Sequence, residues 1–161
     1  MIISYVGNRK NLASDGKSFN TENHIALTLE KLGHEVRFIQ EDEIQFGTLP
    51  KLVEGSNLFL WTRTWKDKVL LEEQRKIESM KIPTVSYHLD KYTGIKRDGG
   101  IGVDTFWKTQ YVFSPEGSIE ANRVFEQHGI NQLYMPAGVF EDECYIASEN
   151  EFDYDIVFVG G

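Results

Sequence analysis

The residues best suited to chemistry in this sequence gather just after its short apolar runs. His88 and Asp90 stand two apart at the end of the run 84–88, so both side chains leave the strand end on one side. An imidazole beside a carboxylate can pass a proton or orient a hydroxyl group, and the same pair can also simply close a strand by hydrogen bonding. Tyr92 follows in the same segment and offers a flat ring with a polar tip. The segment after the first apolar run carries Asn8, Arg9, Lys10 and Lys17 and leads into a helix whose first turn holds His24. The free N–H groups of a helix start attract anions, so this loop suits a phosphate or a charged acceptor as well as it suits plain solvent. His24 is placed to act as base or hydrogen-bond donor there, or to cap and pack. Arg63, after the run 58–62, can grip a carboxylate or phosphate with two N–H groups or pair with Asp67. Glu116 lies in the Ser114-Pro115-Glu116-Gly117 segment after a later run.

Several chemistries find no support. The first loop fits neither GxGxxG nor GxxxxGK[ST], and no GxSxG elbow presents a nucleophilic serine. His34 and His128 do not complete a metal-ligand spacing with His88 and Asp90, so no metal is expected. Trp61, Trp65, Tyr92, Phe106 and Trp107 fall in or near the candidate loops, where rings can stack on sugar faces or bases or else fill the core.

The elements that must position these residues alternate short β-branched or aromatic runs with segments of helical period. That alternation predicts an α/β fold, a Rossmann-like open parallel sheet with helices on both faces. Strands are expected at 2–6, Glu35–Gln40, 58–62, 84–88, 110–113 and 132–135, and again at 155–159. A first helix, capped by Asn20 or Thr21, turns Ile25, Leu29 and Leu32 inward and ends at Gly33. A second, over 69–80, turns Leu70, Ile77 and Met80 inward and Glu72, Glu73, Arg75 and Lys76 outward; a third spans 118–128. The stretch 89–104 reads as a long irregular connection, the kind that is usually functional or mobile. In such sheets ligands bind beyond the carboxyl ends of the strands, where Asn8, Arg9, Arg63, His88, Asp90, Tyr92 and Glu116 lie and which His24 faces.

The whole has 161 residues, room for one domain of ordinary size with its own core. Residues 1–140 read as that domain, 141–153 as an acidic linker, and 154–161 as the first strand of a missing C-terminal donor-binding domain. A formal net charge of −8 argues against broad nucleic-acid binding. The lone Cys144 excludes an internal disulfide framework, and no apolar run reaches the ~20 residues of a membrane span, so a cytoplasmic location is expected.

Certain segments resemble a known family. Leu29-Glu30-Lys31-Leu32-Gly33-His34-Glu35-Val36 is similar to the segment near the start of GT-B-fold glycosyltransferases of the group 1 type. Gln110 to Ser114, His128-Gly129, Tyr134 to Val139 and the terminal Tyr154 to Gly160 resemble the end of the N-terminal domain in the spore-maturation, CgeB-like branch. The resemblance implies an acceptor-binding domain of an enzyme that moves sugar from a nucleotide-sugar donor to an unknown acceptor. The nucleotide sugar is then a co-substrate bound through the missing domain, no cofactor or metal is required, and the 161 residues alone are expected to be inactive. If transfer inverts configuration, Asp90 with His88 is placed to take the acceptor proton, with Asn8, Arg9, His24, Arg63, Tyr92 and Glu116 as binding groups. The rival reading is a non-catalytic, flavodoxin-like α/β module for a small ligand or protein partner. Gly7-Asn8-Arg9 after the first strand lacks both the acidic pair of a response regulator and the Ser/Thr-rich phosphate loop of a flavodoxin.

Overall fold

The computed structural model describes residues 1–9, 20–62, 69–89 and 100–139. Six parallel strands form one sheet: β1 (Ile2–Gly7), β2 (Glu35–Gln40), β3 (Leu58–Trp61), β4 (Thr84–Tyr87), β5 (Tyr111–Ser114) and β6 (Gln132–Tyr134), in the order β2-β1-β3-β4-β5-β6. The helices are α1 (Thr21–Lys31), α2 (Leu49–Leu52), α3 (Leu71–Ser79) and α4 (Ile119–Gln127), with 3-10 turns at Glu41–Glu43 and Thr105–Lys108. The expected α/β open parallel sheet is therefore the observed one.

The pairing register sorts the side chains onto two faces. Ile3 and Tyr5 of β1, Val36 and Phe38 of β2, and Leu58 and Leu60 of β3 share the face that α1 covers with Ala26, Ile25 and Leu29. Val6, Ile39, Phe59 and Trp61 share the other, packed under Leu49 and Val53 of the α2 region, Val69, and Ile77 of α3. Farther along that second face, Val112 of β5 meets Ala121 and Phe125 of α4 together with Trp107 and Ile130. Helices thus cover both faces, and the central strand β3, Leu58-Phe59-Leu60-Trp61, is apolar on two sides, as buried parallel strands are.

The boundaries follow local chemistry. Asn20 caps α1, its Oδ1 accepting from the N–H groups of Glu22 (2.9 Å) and Asn23 (3.4 Å), and Gly33 takes a left-handed φ of +84° that ends it. Ser118 caps α4 through the Ala121 N–H at 3.1 Å. Three expectations need correction. Glu73, expected outward, is buried because its carboxylate accepts from Leu49 N–H (3.3 Å) and Leu70 N–H (3.4 Å) and so ties α2 to the start of α3. Leu32 and Met80, expected inward, are exposed because each falls beyond its helix, at the cap. Residues 90–99 of the connection expected over 89–104 lie outside the described residues; at its end Asp104 caps the 3-10 turn Thr105–Lys108, its Oδ1 accepting from Phe106 N–H at 3.0 Å. The acidic linker 141–153 and the strand at 155–159 lie outside the described residues.

Candidate functional site

β1 pairs with β2 on one side and β3 on the other, and the connections to these neighbours leave over opposite faces. Their divergence makes the carboxyl end of β1 the topological switch point, where sheets of this kind form their ligand crevice. Gly7 closes that end tightly. A Cβ there would stand 3.0 Å from Thr62 Oγ1 and 3.2 Å from Glu22 Cγ, so the absence of a side chain lets the start of α1 approach the end of β3. Thr62 Oγ1 in turn shares a 2.8 Å hydrogen bond with the hydroxyl of Tyr5, a fully buried side chain. Burial is the main cause that pushes the Tyr5 phenol above its ordinary pKa, with Glu22 adding to it and the Thr62 bond opposing it.

Asn8 and Arg9 sit on this edge in different ways. Asn8 is buried; its Oδ1 accepts from Gln40 Nε2 at 2.8 Å, and its carbonyl accepts from Asn20 Nδ2 at 2.7 Å. The same Gln40 amide donates to Asp42 Oδ1 at 3.0 Å, and its Oε1 accepts the Arg9 N–H at 2.9 Å. Asn8 therefore ties β1, β2 and the cap of α1 together. The Arg9 guanidinium lies 4.0 Å from the centre of the Phe38 ring, which packs edge-on against Tyr5 with centroids 5.1 Å apart. Burial holds Arg9 below its ordinary pKa, and Glu30 counters that effect. His24 is half-buried on the first turn of α1.

His88 is carried farther along the same edge, and the structure builds it into the core. It is 1 % exposed, with its ring stacked on Trp107 at 3.6 Å between centroids and tilted against Phe106 at 4.0 Å. α3 sets this sandwich: Gln74 Nε2 donates to Thr105 O at 3.0 Å, and Thr105 Oγ1 donates to Val69 O at 3.0 Å, which fixes the 3-10 turn holding both rings. Trp61 packs edge-on to Phe106 at 4.7 Å and donates from Nε1 to Glu41 Oε1 at 2.8 Å, both side chains being buried. Of the aromatics considered for stacking, Trp61, Phe106 and Trp107 are thus core residues. Asp90, Arg63, Tyr92 and Trp65 lie outside the described residues.

Glu116 is buried in the turn after β5, its N–H donating to Ser114 Oγ at 3.3 Å. Beside that turn a groove of about 670 Å³ runs between α4 and β6, lined by Pro115, Gly117, Asn122, Phe125, Glu126, Ile130, Gln132 and Tyr134. None of the groove's polar residues was singled out in the sequence. The available signal was the pair Asn122 and Glu126, four apart on an amphipathic helix and therefore on one face.

No known family model matches the chain, and no curated protein matches it significantly. Among the described residues no group of three or more His, Cys, Asp or Glu is placed to hold a metal ion, and no helix is long and apolar enough to cross a membrane.

Proposed function

We propose that this chain is the acceptor-side domain of a glycosyltransferase that moves a sugar from a nucleotide-sugar donor to an acceptor at the carboxyl edge of the sheet. The observation that supports it best is the segment from Leu29 to Val36. It runs from the end of α1 through the left-handed Gly33 into the start of β2, where Glu35 and Val36 pair with Ile2 and Ile3, and β2 then runs parallel to β1 towards the carboxyl edge. The other described segments of the resemblance, Gln110 to Ser114, His128-Gly129 and Tyr134 to Val139, fall on β5, the C-terminal cap of α4 and the end of β6; Ser114 and the residues from Tyr134 onward lie at the carboxyl edge, and His128-Gly129 at the opposite edge. Asp90, three residues after β4, is the proposed base that takes the proton of the acceptor's hydroxyl. His88 anchors that strand end between two rings.

The strand order favours a second reading. The run β2-β1-β3-β4-β5 is the order of flavodoxin-like sheets, which also serve as non-catalytic binding modules. The deciding experiment incubates the full natural polypeptide containing this chain with a panel of uridine-, guanosine- and thymidine-activated sugars and measures released nucleotide. Release that rises with added saccharide acceptors supports the transferase. No hydrolysis and no transfer from any donor removes it and leaves the binding module.

A further inference from the structure

We propose that the groove between α4 and β6 is a binding subsite for a neutral saccharide of one or two rings, with Tyr134 as its stacking platform. Its position follows from the register. Gln132 and Tyr134 pair with Val112 and Ser114, so their side chains stand on the face that α4 covers with Phe125. β6 closes the described sheet on that side, which leaves the groove open.

Each wall supplies one part of a sugar site. Tyr134 is 60 % exposed, yet its ring rests on backbone: a Cβ on Gly117 would fall 2.8 Å from Tyr134 Cδ2 and 3.1 Å from Cε2 and Cγ. Gly117 therefore lets the ring lie against the chain and holds an apolar plate ready without a large ordering cost. The Gln132 amide is oriented with equal firmness. Its Nε2 donates to Glu116 O at 2.9 Å and to Ser114 Oγ at 3.0 Å, and since a carbonyl can only accept, the nitrogen is assigned and Oε1 is left to accept from a ligand hydroxyl. Asn122 and Glu126 face the groove from α4, adding an amide that both donates and accepts and a carboxylate that accepts two hydroxyls. Phe125 and Ile130 form an apolar floor.

The lining selects against other ligands. Among the described residues it contains one carboxylate and no lysine or arginine, so phosphates and uronic acids meet repulsion from Glu126 with no described cation to offset it. A purely apolar ligand would strand the amides and Glu126 away from water. A polyhydroxylated ring with one C–H face for Tyr134 and hydroxyls at its rim satisfies both. The volume of about 670 Å³ lies within the ~300–1,000 Å³ of small-ligand sites.

This inference extends the acceptor role proposed above, but its test needs no donor and no turnover, so the two can fail separately. The 161-residue chain is titrated by calorimetry and by ¹⁵N NMR with maltose, cellobiose, lactose, chitobiose and methyl rhamnoside, with glucuronate, glucose 6-phosphate and adenosine as contrasts. We expect at least one neutral sugar to bind, with amide shifts centred on Gly117, Asn122 and Tyr134. Tyr134→Ala and Gly117→Ala should each weaken it by about fivefold or more, and Tyr134→Phe by less than about twofold. Asn122→Ala, at an exposed position, tests the rim without threatening the fold. Three results overturn the proposal: no neutral sugar binds; adenosine or an anionic sugar binds there more tightly; or binding survives Tyr134→Ala and Asn122→Ala unchanged in proteins with unaltered circular dichroism.

Discussion

Replacing Tyr5 with phenylalanine tests the crevice end of β1 through pH. At neutral pH the substitution deletes the 2.8 Å hydrogen bond to Thr62 Oγ1 and leaves a buried threonine hydroxyl short of that partner. The expected cost is about 1–2 kcal/mol. Above neutral pH the comparison changes, because burial holds the Tyr5 phenol protonated in the fold while the unfolded chain ionises near pH ~10. A group whose folded-state pKa is raised contributes stability that is complete below its unfolded pKa and is lost as pH rises above it. For one proton the loss reaches about 1.4 kcal/mol by pH ~11. Tyr5→Phe has no such proton to lose. Tyr87, also raised by burial, is common to both proteins and cancels in the difference. Urea unfolding followed by tryptophan fluorescence from pH 7 to about 11 should therefore show the variant weaker at neutral pH and level with the parent near pH ~11. A stability difference that stays constant within about 0.3 kcal/mol across that range would show that Tyr5 does not resist ionisation and refute the account of the buried pair.

Gly7→Ala should lower stability by about 1–3 kcal/mol, read as a fall in the urea midpoint, since its methyl group must push Thr62 Oγ1 from 3.0 Å or the Glu22 side chain from 3.2 Å. Lys81→Gly should raise the thermal midpoint by about 1–4 °C, because Lys81 follows α3 with a φ of +62° that glycine adopts without strain. Asp90→Asn in the full natural polypeptide should cut transfer by about a hundredfold or more if the carboxylate takes the acceptor's hydroxyl proton, and a change below about threefold assigns it another role.

The first β-α-β unit was legible because each boundary had a chemical marker: Asn20 at the start of the helix, Gly33 at its end, and an alternating strand whose limits, Glu35–Gln40, agree with the structure. The helix 118–128 was readable for the same reason, with Ser118 and His128 as its two caps. α2, one turn long, is too short to show a period, and its burial depends on Glu73 reaching it from a later helix, a contact between residues 24 apart. Glu41 and Glu73 both look like surface charges in one dimension and are buried by partners that only the folded chain brings up. Asn8, His88 and Glu116 were correctly placed after strands by the fold rule, but whether such residues face solvent or core depends on the neighbouring turn. For His88 that turn is the 3-10 segment bearing Phe106 and Trp107, whose packing the sequence does not encode locally.

The strand order also bears on how the chain assembles as it leaves the ribosome. From β1 onward, β3, β4, β5 and β6 join one side of the sheet in the order in which they are synthesised, so no later strand has to be inserted between two already paired. Once β1 and β2 are paired, growth can proceed by addition at a single advancing edge, β3 templated by β1 and each of β4, β5 and β6 by the strand just finished. That edge also shortens, from six residues in β1 to four in β3, β4 and β5 and three in β6. Unpaired edges are where nascent chains capture one another, and here the surface open to such capture contracts as translation advances.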